Sequence, residues 1–337
     1  MLALVTTPFD IAYGQNAEDV VLHRALHDVT EGFYVEVGAN DPTELSISRA
    51  FYDAGWRGVE IEPVAGLAEE FARQRPRDQV VQAAITNATV DSVELHLIEG
   101  TGLSTLDDRI RDRHERAGYE PRIVQVPART LSDVLAEADV PDDIHFMVVD
   151  TEGTEADVLA SLDLTRWRPW VLVIEATEPL SNLPSHQVWE KDLLAAEYEF
   201  CLFDGISRFY VASEHADRLK SLLSYPANVM DGYTPRHWQL REHELGATRA
   251  ALEDVQQQLA DTRALHQRAV DELVRWRGTV LSRWAEAATG SGGQAAGPAG
   301  HEVMRLRQEL AATQATVSWR VTAPLRAVQQ RRLRGWR

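Results

Sequence analysis

Acidic side chains follow the ends of four apolar segments in this 337-residue sequence. They are Glu36 and Asp41, Glu62, Asp150 and Glu152, and Glu175 and Glu178. If the apolar segments are parallel strands, these ends lie at the edge of the sheet where α/β proteins bind ligands. Single carboxylates there would only cap the following helices. Several together predict a site for a ligand that carries hydrogen-bond donors or positive charge.

A single glycine, Gly38, follows the first apolar segment and precedes Asn40 and Asp41. Glycine allows a tight turn and a close approach of the backbone to a ligand. A dinucleotide would normally need the pattern G-x-G-x-x-G for its phosphates, and carboxylates would repel them. Glu62 is placed to accept hydrogen bonds from ribose hydroxyls. The pattern favours S-adenosylmethionine, which combines adenosine with a cationic end and has no phosphate.

Strand-like and helix-like segments alternate through residues 1–238. The strand-like segments are GFYVEVG, RGVEIEP, QVVQAAI, VELHLI, HFMVVD, WVLVIEA, FCLFDG and RFYVA. Amphipathic segments between them, such as 65–74 and 155–164, are typical of helices. This alternation predicts an α/β fold with a parallel sheet covered on both faces. The short gap between the last two strands predicts a hairpin, and therefore one antiparallel strand at the end of the sheet.

The pattern changes after residue 238. Leu245, Leu252, Leu259 and Leu273 share one seven-residue register, which predicts a coiled-coil-like helix over 239–285 and a possible homodimer. A single amphipathic helix packed on the domain is the alternative.

The last part of the chain is rich in small residues and then in arginine. Residues 286–301 are predicted to be a flexible linker, and 302–337 a short helix followed by a basic tail. From Ser318 onward the tail has six arginines and no carboxylate. It would suit an anionic membrane surface or an acidic partner, or else remain a solvated end.

Composition excludes several classes of protein. A net charge of −18 argues against a general nucleic-acid binder. Cys201 is the only cysteine, so neither an intramolecular disulfide nor a cysteine-based metal site is possible. The sequence has no apolar run of about 18 residues and no basic signal-peptide start, so we expect a cytoplasmic protein without a membrane span.

Several of these segments together resemble the FkbM-type family of S-adenosylmethionine-dependent methyltransferases. The stretches are YVEVGANDP, VEIEP and, most specifically, FMVVDTEGTEADVLASLDL. YGQNAEDVVLHRAL resembles the N-terminal segment of a bacterial branch of that family. The resemblance covers residues 10–235, with Glu36 where the family usually has Asp and Ser207 where that branch often has Asn.

The resemblance implies a class I methyltransferase fold, a Rossmann-like seven-stranded sheet with one antiparallel strand. The cofactor-binding residues that it implies are Gln15, Glu36, Gly38, Asn40, Asp41, Glu62, Ala84, Ile85, Asp150 and Glu152. Among these, Glu62 would hold the ribose, Ala84 and Ile85 would border the adenine, and Gln15 with Asp19 would close over the cofactor.

The resemblance also implies methyl transfer, usually to oxygen. An alcohol is a poor nucleophile at neutral pH, so transfer needs a base or a metal ion. Asp150, Glu175 and His186 are the candidate catalytic residues, with Glu178 as a further carboxylate. The favoured hypothesis is that a general base activates the hydroxyl without a metal ion. The alternative is Mg²⁺ held by Asp150, Glu152 and Glu175.

We therefore expect O-methylation of a sugar hydroxyl in a glycan, glycolipid or secondary metabolite. A non-catalytic scaffold with a cofactor-binding domain and a nicotinamide-dependent oxidoreductase are the competing hypotheses.

Overall fold

The computed structural model describes residues 8–290 and 298–316. The strands are β1 (Ile11–Ala12), β2 (Phe33–Val37), β3 (Arg57–Ile61), β4 (Gln79–Val81), β5 (Ala84–Ile85), β6 (Ser92–Leu97), β7 (Arg122–Arg129), β8 (Phe146–Val149), β9 (Val171–Glu175), β10 (Tyr198–Phe203), β11 (Ser207–Ala212) and β12 (Thr234–Pro235). The α-helices are α1 (Glu18–Leu26), α2 (Arg49–Asp53), α3 (Ala65–Gln74), α4 (Asp108–Arg116), α5 (Leu131–Glu137), α6 (Glu155–Ala160), α7 (Glu190–Ala195), α8 (Ser213–Leu223), α9 (Arg236–Gly290) and α10 (Pro298–Ala315). Short 3₁₀ helices span Pro8–Asp10 and His186–Val188.

The central sheet has seven strands in the order β10-β11-β9-β8-β2-β3-β4. β11 is antiparallel to both of its neighbours, and the other pairs are parallel. The class I methyltransferase type of sheet, with one antiparallel strand, is therefore confirmed. The antiparallel strand lies second from the edge rather than at the end of the sheet, because β11 inserts between β9 and β10.

The central sheet carries an apolar core on each face. Along β2, Val35 and Val37 face one core with α5 and α6, whereas Tyr34 faces the other with α1 and α8. Alternate residues of a strand point to opposite faces, so a strand covered on both sides has apolar residues at nearly every position. This arrangement buries β2, β8 and β9 completely and fixes the positions of their carboxyl ends.

A second, three-stranded sheet has the order β5-β7-β6. The segment QVVQAAI, predicted as one strand, is divided: β4 joins the central sheet and β5 joins the small one. β7 and α4 were not predicted. β7 contains Pro127, which cannot donate to a ladder, and α4 buries only Ile110 and His114.

The chain divides into two compact units between Leu245 and Gly246, so the first unit extends a little beyond the predicted boundary at residue 238. Helices occupy both ends of the predicted linker, because α9 continues to Gly290 and α10 begins at Pro298. Residues 291–297, and the basic tail from Ser318, lie outside the described residues. None of the described helices is both long enough and apolar enough to cross a bilayer.

Candidate active site

The turn after β2 brings two neighbouring strand ends together. Gly38 has φ +82°, and a Cβ built on it would lie 1.7 Å from the carbonyl oxygen of Asp150. Only glycine therefore permits this approach of the β2 and β8 ends. The N–H groups of Gly38 and Ala39 donate to the carbonyl of Ile61, at 3.0 and 3.1 Å, which fixes the turn against β3.

Two cavities meet at this turn, and both are lined by Gly38, Asn40, Gly102, Asp150 and Glu152. The first cavity, of about 590 Å³, continues towards the small sheet. The second, of about 730 Å³, continues towards α1 and the β9 end.

The first cavity has an apolar wall with one acid on it. Ala84 and Ile85 lie in this wall, as does Glu62, which contacts the turn after Gly38 through Asn40. The Glu62 carboxylate accepts hydrogen bonds from the N–H groups of Asn40 at 2.9 Å and Val64 at 2.7 Å. Burial raises the pKa of Glu62 to about 7 despite these bonds. Each oxygen keeps a lone pair for a further donor.

The second cavity is strongly acidic. Among its described lining residues are six carboxylic acids and no Arg, Lys or His. The acids are Glu18, Glu36, Glu44, Asp150, Glu152 and Glu175.

Asp150, Glu152 and Glu175 form a cluster where the two cavities join, with one carboxylate oxygen from each residue within 4.8 Å of the others. Oε2 of Glu152 and Oε2 of Glu175 are buried without a hydrogen-bond partner. Asp150 is open to the cavity. Desolvation by the surrounding protein, and then the charges of the neighbouring carboxylates, raise the pKa of all three residues.

The loop that carries Asp150 and Glu152 is held by Glu155. Its Oε1 accepts hydrogen bonds from the backbone N–H groups of Thr151 at 3.1 Å and Gly153 at 2.9 Å, and from the Thr151 hydroxyl. The Thr105 hydroxyl donates to the carbonyl of Glu152 at 2.7 Å. These bonds fix the backbone on both sides of Asp150 and Glu152.

The N-terminal segment contributes a residue that was not predicted. Gln15 lines the second cavity, as the resemblance implies, but the acid beside it is Glu18 rather than Asp19. Asp19 is turned inward, where it accepts a hydrogen bond from the N–H of Tyr13 at 2.6 Å. Burial, then the charge of Asp204, raise the pKa of Glu18 to about 8.

The loop between β2 and α2 forms another wall of the second cavity, and the side chain of Arg75 holds this loop in place. Arg75 is fully buried and donates to the carbonyl of Pro42 at 2.9 Å and to the hydroxyls of Ser46 and Ser48, both at 2.7 Å. It also pairs with Glu60 on β3 at 2.7 Å.

Two predicted cofactor residues have structural partners. Glu36 lines the second cavity, but it accepts hydrogen bonds from the N–H of Ile47 at 3.2 Å and from the Ser46 and Ser48 hydroxyls. Asp41 lines neither of these two cavities, and its Oδ1 accepts from the N–H groups of Thr43 and Glu44, at 2.8 Å each.

Two predicted catalytic candidates lie away from both cavities. Nε2 of His186 is 3.7 Å from Glu190, and Glu178 pairs with Arg113 at 2.6 Å. Neither residue lines the first or the second cavity. We therefore remove His186 and Glu178 from the catalytic set, because neither side chain reaches the lining of these two cavities.

The sheet order and the cavities at its carboxyl edge define an α/β domain of the class I methyltransferase type. Residues 36–200 match the family model described as the methyltransferase FkbM domain, and this domain belongs to that methyltransferase family. No curated protein matches the chain.

One solved structure among those that match is the crystal structure of precorrin-6y C5,15-methyltransferase from Geobacter metallireducens GS-15. It is 11% identical, with 58% of this chain and 87% of that chain covered and a TM-score of 0.31. A likeness at this level adds nothing about the activity of this chain.

Proposed function

We propose that this protein is an S-adenosylmethionine-dependent O-methyltransferase that acts on a hydroxyl group of a sugar-containing acceptor. One observation carries the proposal: an apolar cavity with Glu62 on its wall meets, at Gly38, a cavity whose carboxylates have no cationic partner among its lining residues. The methyltransferase family of this domain supports the same reaction type.

The first cavity fits the nucleoside part of such a donor. Ala84 and Ile85 offer an apolar surface for the adenine, and the free lone pairs of Glu62 can accept from ribose hydroxyls. At the junction, Asp150 and Glu152 favour the ammonium and sulfonium charges. When bound, S-adenosylmethionine supplies a methyl group on a positively charged sulfur. The same acids would repel a pyrophosphate, which argues against a nicotinamide cofactor.

The second cavity would then hold the acceptor hydroxyl. The acceptor oxygen forms a bond to the methyl carbon, the sulfur–carbon bond breaks with its electron pair left on sulfur, and the hydroxyl proton must leave. Asp150 and Glu175 are the proposed groups at this point. Burial and the neighbouring carboxylates raise the pKa of Asp150 to about 7, close to the pH at which a general base works best.

A third cavity leaves room for a bulky acceptor. It has a volume of about 1090 Å³ and shares Asn40, Glu44, Leu45 and Gly102 with the second. Glu44 and Leu45 at its mouth are exposed, so the cavity opens to solvent. Carboxylates along such a surface accept hydrogen bonds from several sugar hydroxyls.

Calorimetric titration with S-adenosylmethionine and with NAD⁺ tests the donor. We expect binding of S-adenosylmethionine alone, weakened about tenfold or more in Glu62→Ala because the ribose acceptors are lost. Glu178→Gln, which alters a carboxylate outside the cavities, is the matched control. Binding of NAD⁺ alone would overturn the proposal.

Transfer of a labelled methyl group into glycan and lipid fractions of the source cells tests the reaction. We expect label in a sugar-containing fraction with the unaltered protein, and none with Asp150→Asn. Equal labelling with Asp150→Asn would refute the assignment of the catalytic cluster. Label confined to protein or nucleic acid would refute the acceptor class.

A further inference from the structure

We propose that Asp150, Glu152 and Glu175 form a binding site for a hard divalent cation of the Mg²⁺ and Mn²⁺ type. The three residues come from the carboxyl ends of the adjacent parallel strands β8 and β9. Their nearest oxygens lie within 4.8 Å of one another, at the junction of the two cavities.

A buried, unpartnered oxygen distinguishes this cluster from ordinary surface acids. Glu175 is only 7% exposed, lines the second cavity and has no hydrogen-bond donor for Oε2. Oε2 of Glu152 is also buried without a donor. A buried carboxylate oxygen without a partner costs free energy, and a bound cation would supply the missing interaction.

Another buried carboxylate of this chain has a positively charged partner, whereas the three acids of the cluster have none in the part of the chain that the structure describes. The buried Glu60 on β3 pairs with Arg75 at 2.7 Å. No ion pair joins Asp150, Glu152 or Glu175 to an arginine or lysine of the described residues. Of the carboxylates around them, Glu155 already accepts backbone N–H groups and Glu36 accepts two hydroxyls and one N–H. The three remaining acids therefore lack a positive group.

The ligand set selects the kind of cation. Carboxylate oxygens alone suit Mg²⁺, Mn²⁺ or Ca²⁺ and not the metals that prefer sulfur or imidazole. Opposite ligands at about 2.1 Å from Mg²⁺ are about 4.2 Å apart, so oxygens at the observed spacing reach one ion with a small side-chain movement. Asp150 opens to the cavity, which leaves coordination positions for water or a substrate oxygen.

The role of the cation rests on the proposed function, whereas the site itself does not. A hydroxyl coordinated to a divalent cation is more acidic, and its oxygen is held in place for transfer. Its proton then passes to water or to a carboxylate of the same cavity as the new oxygen–carbon bond forms. With the cation bound, Asp150 and Glu175 hold it and position the acceptor, and the general-base role proposed above passes to water or to another carboxylate of the cavity.

Titration of the chelator-treated full chain with Mn²⁺, followed by the electron paramagnetic resonance signal of free Mn²⁺, tests the site without donor or acceptor. We expect one tight Mn²⁺ per chain, displaced by excess Mg²⁺. Asp150→Asn combined with Glu175→Gln removes two ligands and should weaken the tight site more than about tenfold. The Glu178→Gln control should bind Mn²⁺ as the unaltered chain does.

Three results would overturn the site: no tight Mn²⁺, tight binding that is unchanged in the double variant, or equal loss in Glu178→Gln. Urea unfolding of the metal-free proteins checks the variants. The double variant should be at least as stable as the unaltered chain, since it removes mutually repelling charges. Titration with S-adenosylmethionine in excess chelator separates the cation site from the proposed function. If only the cation site is wrong, S-adenosylmethionine should still bind through its adenosine part in the first cavity.

Discussion

Replacement of Glu18 by Gln should make the protein more stable at alkaline pH and leave it nearly unchanged at acid pH. Glu18 is 2% exposed, and its Oε2 accepts a hydrogen bond from the N–H of Asn16 at 2.9 Å. An amide keeps that acceptor oxygen and removes the charge that faces Asp204.

The sign follows from the raised pKa of Glu18. Between its unfolded value of 4.5 and its folded value of about 8, the folded protein holds a proton that the unfolded chain has lost. This contribution to stability is complete below pH 4.5 and is lost as the pH rises through 8. At about 1.4 kcal/mol per pH unit the loss is at most about 5 kcal/mol. Entry of water and relaxation of the protein around Glu18 reduce this loss of stability, so we expect about 2–4 kcal/mol.

The assay is urea unfolding followed by circular dichroism, with chelator present and no cofactor, at pH 5 and pH 9. Relative to the unaltered chain, Glu18→Gln should raise the unfolding free energy by under about 1 kcal/mol at pH 5 and by about 2–4 kcal/mol at pH 9. Glu69→Gln, an exposed residue of α3, is the control and should change stability by less than about 0.5 kcal/mol at both values. An equal effect of Glu18→Gln at both pH values, or a variant less stable at pH 9, would refute the reasoning.

Three further changes have defined outcomes. Gly38→Ala places a methyl group 1.7 Å from the Asp150 carbonyl oxygen, so thermal unfolding should show a loss of about 3 kcal/mol or more and calorimetry a loss of donor binding; near-normal values would contradict the turn. His186→Ala should leave methyl transfer within about twofold, since His186 lies outside both cavities; a hundredfold loss would restore it as the base. The exposed leucines of α9 share a seven-residue register, and we propose that they pair with a second copy of the chain. Light scattering should then give a dimer for the unaltered chain and a monomer for Leu252→Glu combined with Leu259→Glu, and equal masses would reject the pairing.

The strand ends of the site were predictable because apolar runs bounded by acids mark buried parallel strands. Such runs give β2, β8 and β9 together with Gly38 and Asp150. β7 was not predicted because only Val126 and Ala128 of its eight residues are buried and Pro127 cannot donate a ladder hydrogen bond, so no run of apolar residues marks it.

Side-chain direction in loops and first helical turns was not predictable. Neighbouring residues of a helix differ by about 100° in direction, so one residue decides that Glu18 faces the second cavity and Asp19 the interior. The spacing after β9 likewise did not show that His186 is absent from the lining of both cavities. Which loop residues meet depends on the path of the chain, and no local pattern records it.

Neighbouring residues of the β2–α2 loop differ in role, because Arg75 holds some of them in place and leaves Leu45 free of such contacts. Ser46 and Ser48 are tied to β3 through the guanidinium, so a change there would disturb folding. Leu45 is 58% exposed at the mouth of the third cavity and has no such tie. A chain under selection for a new acceptor can therefore vary at the tip of this loop without disturbing the contacts that hold its base.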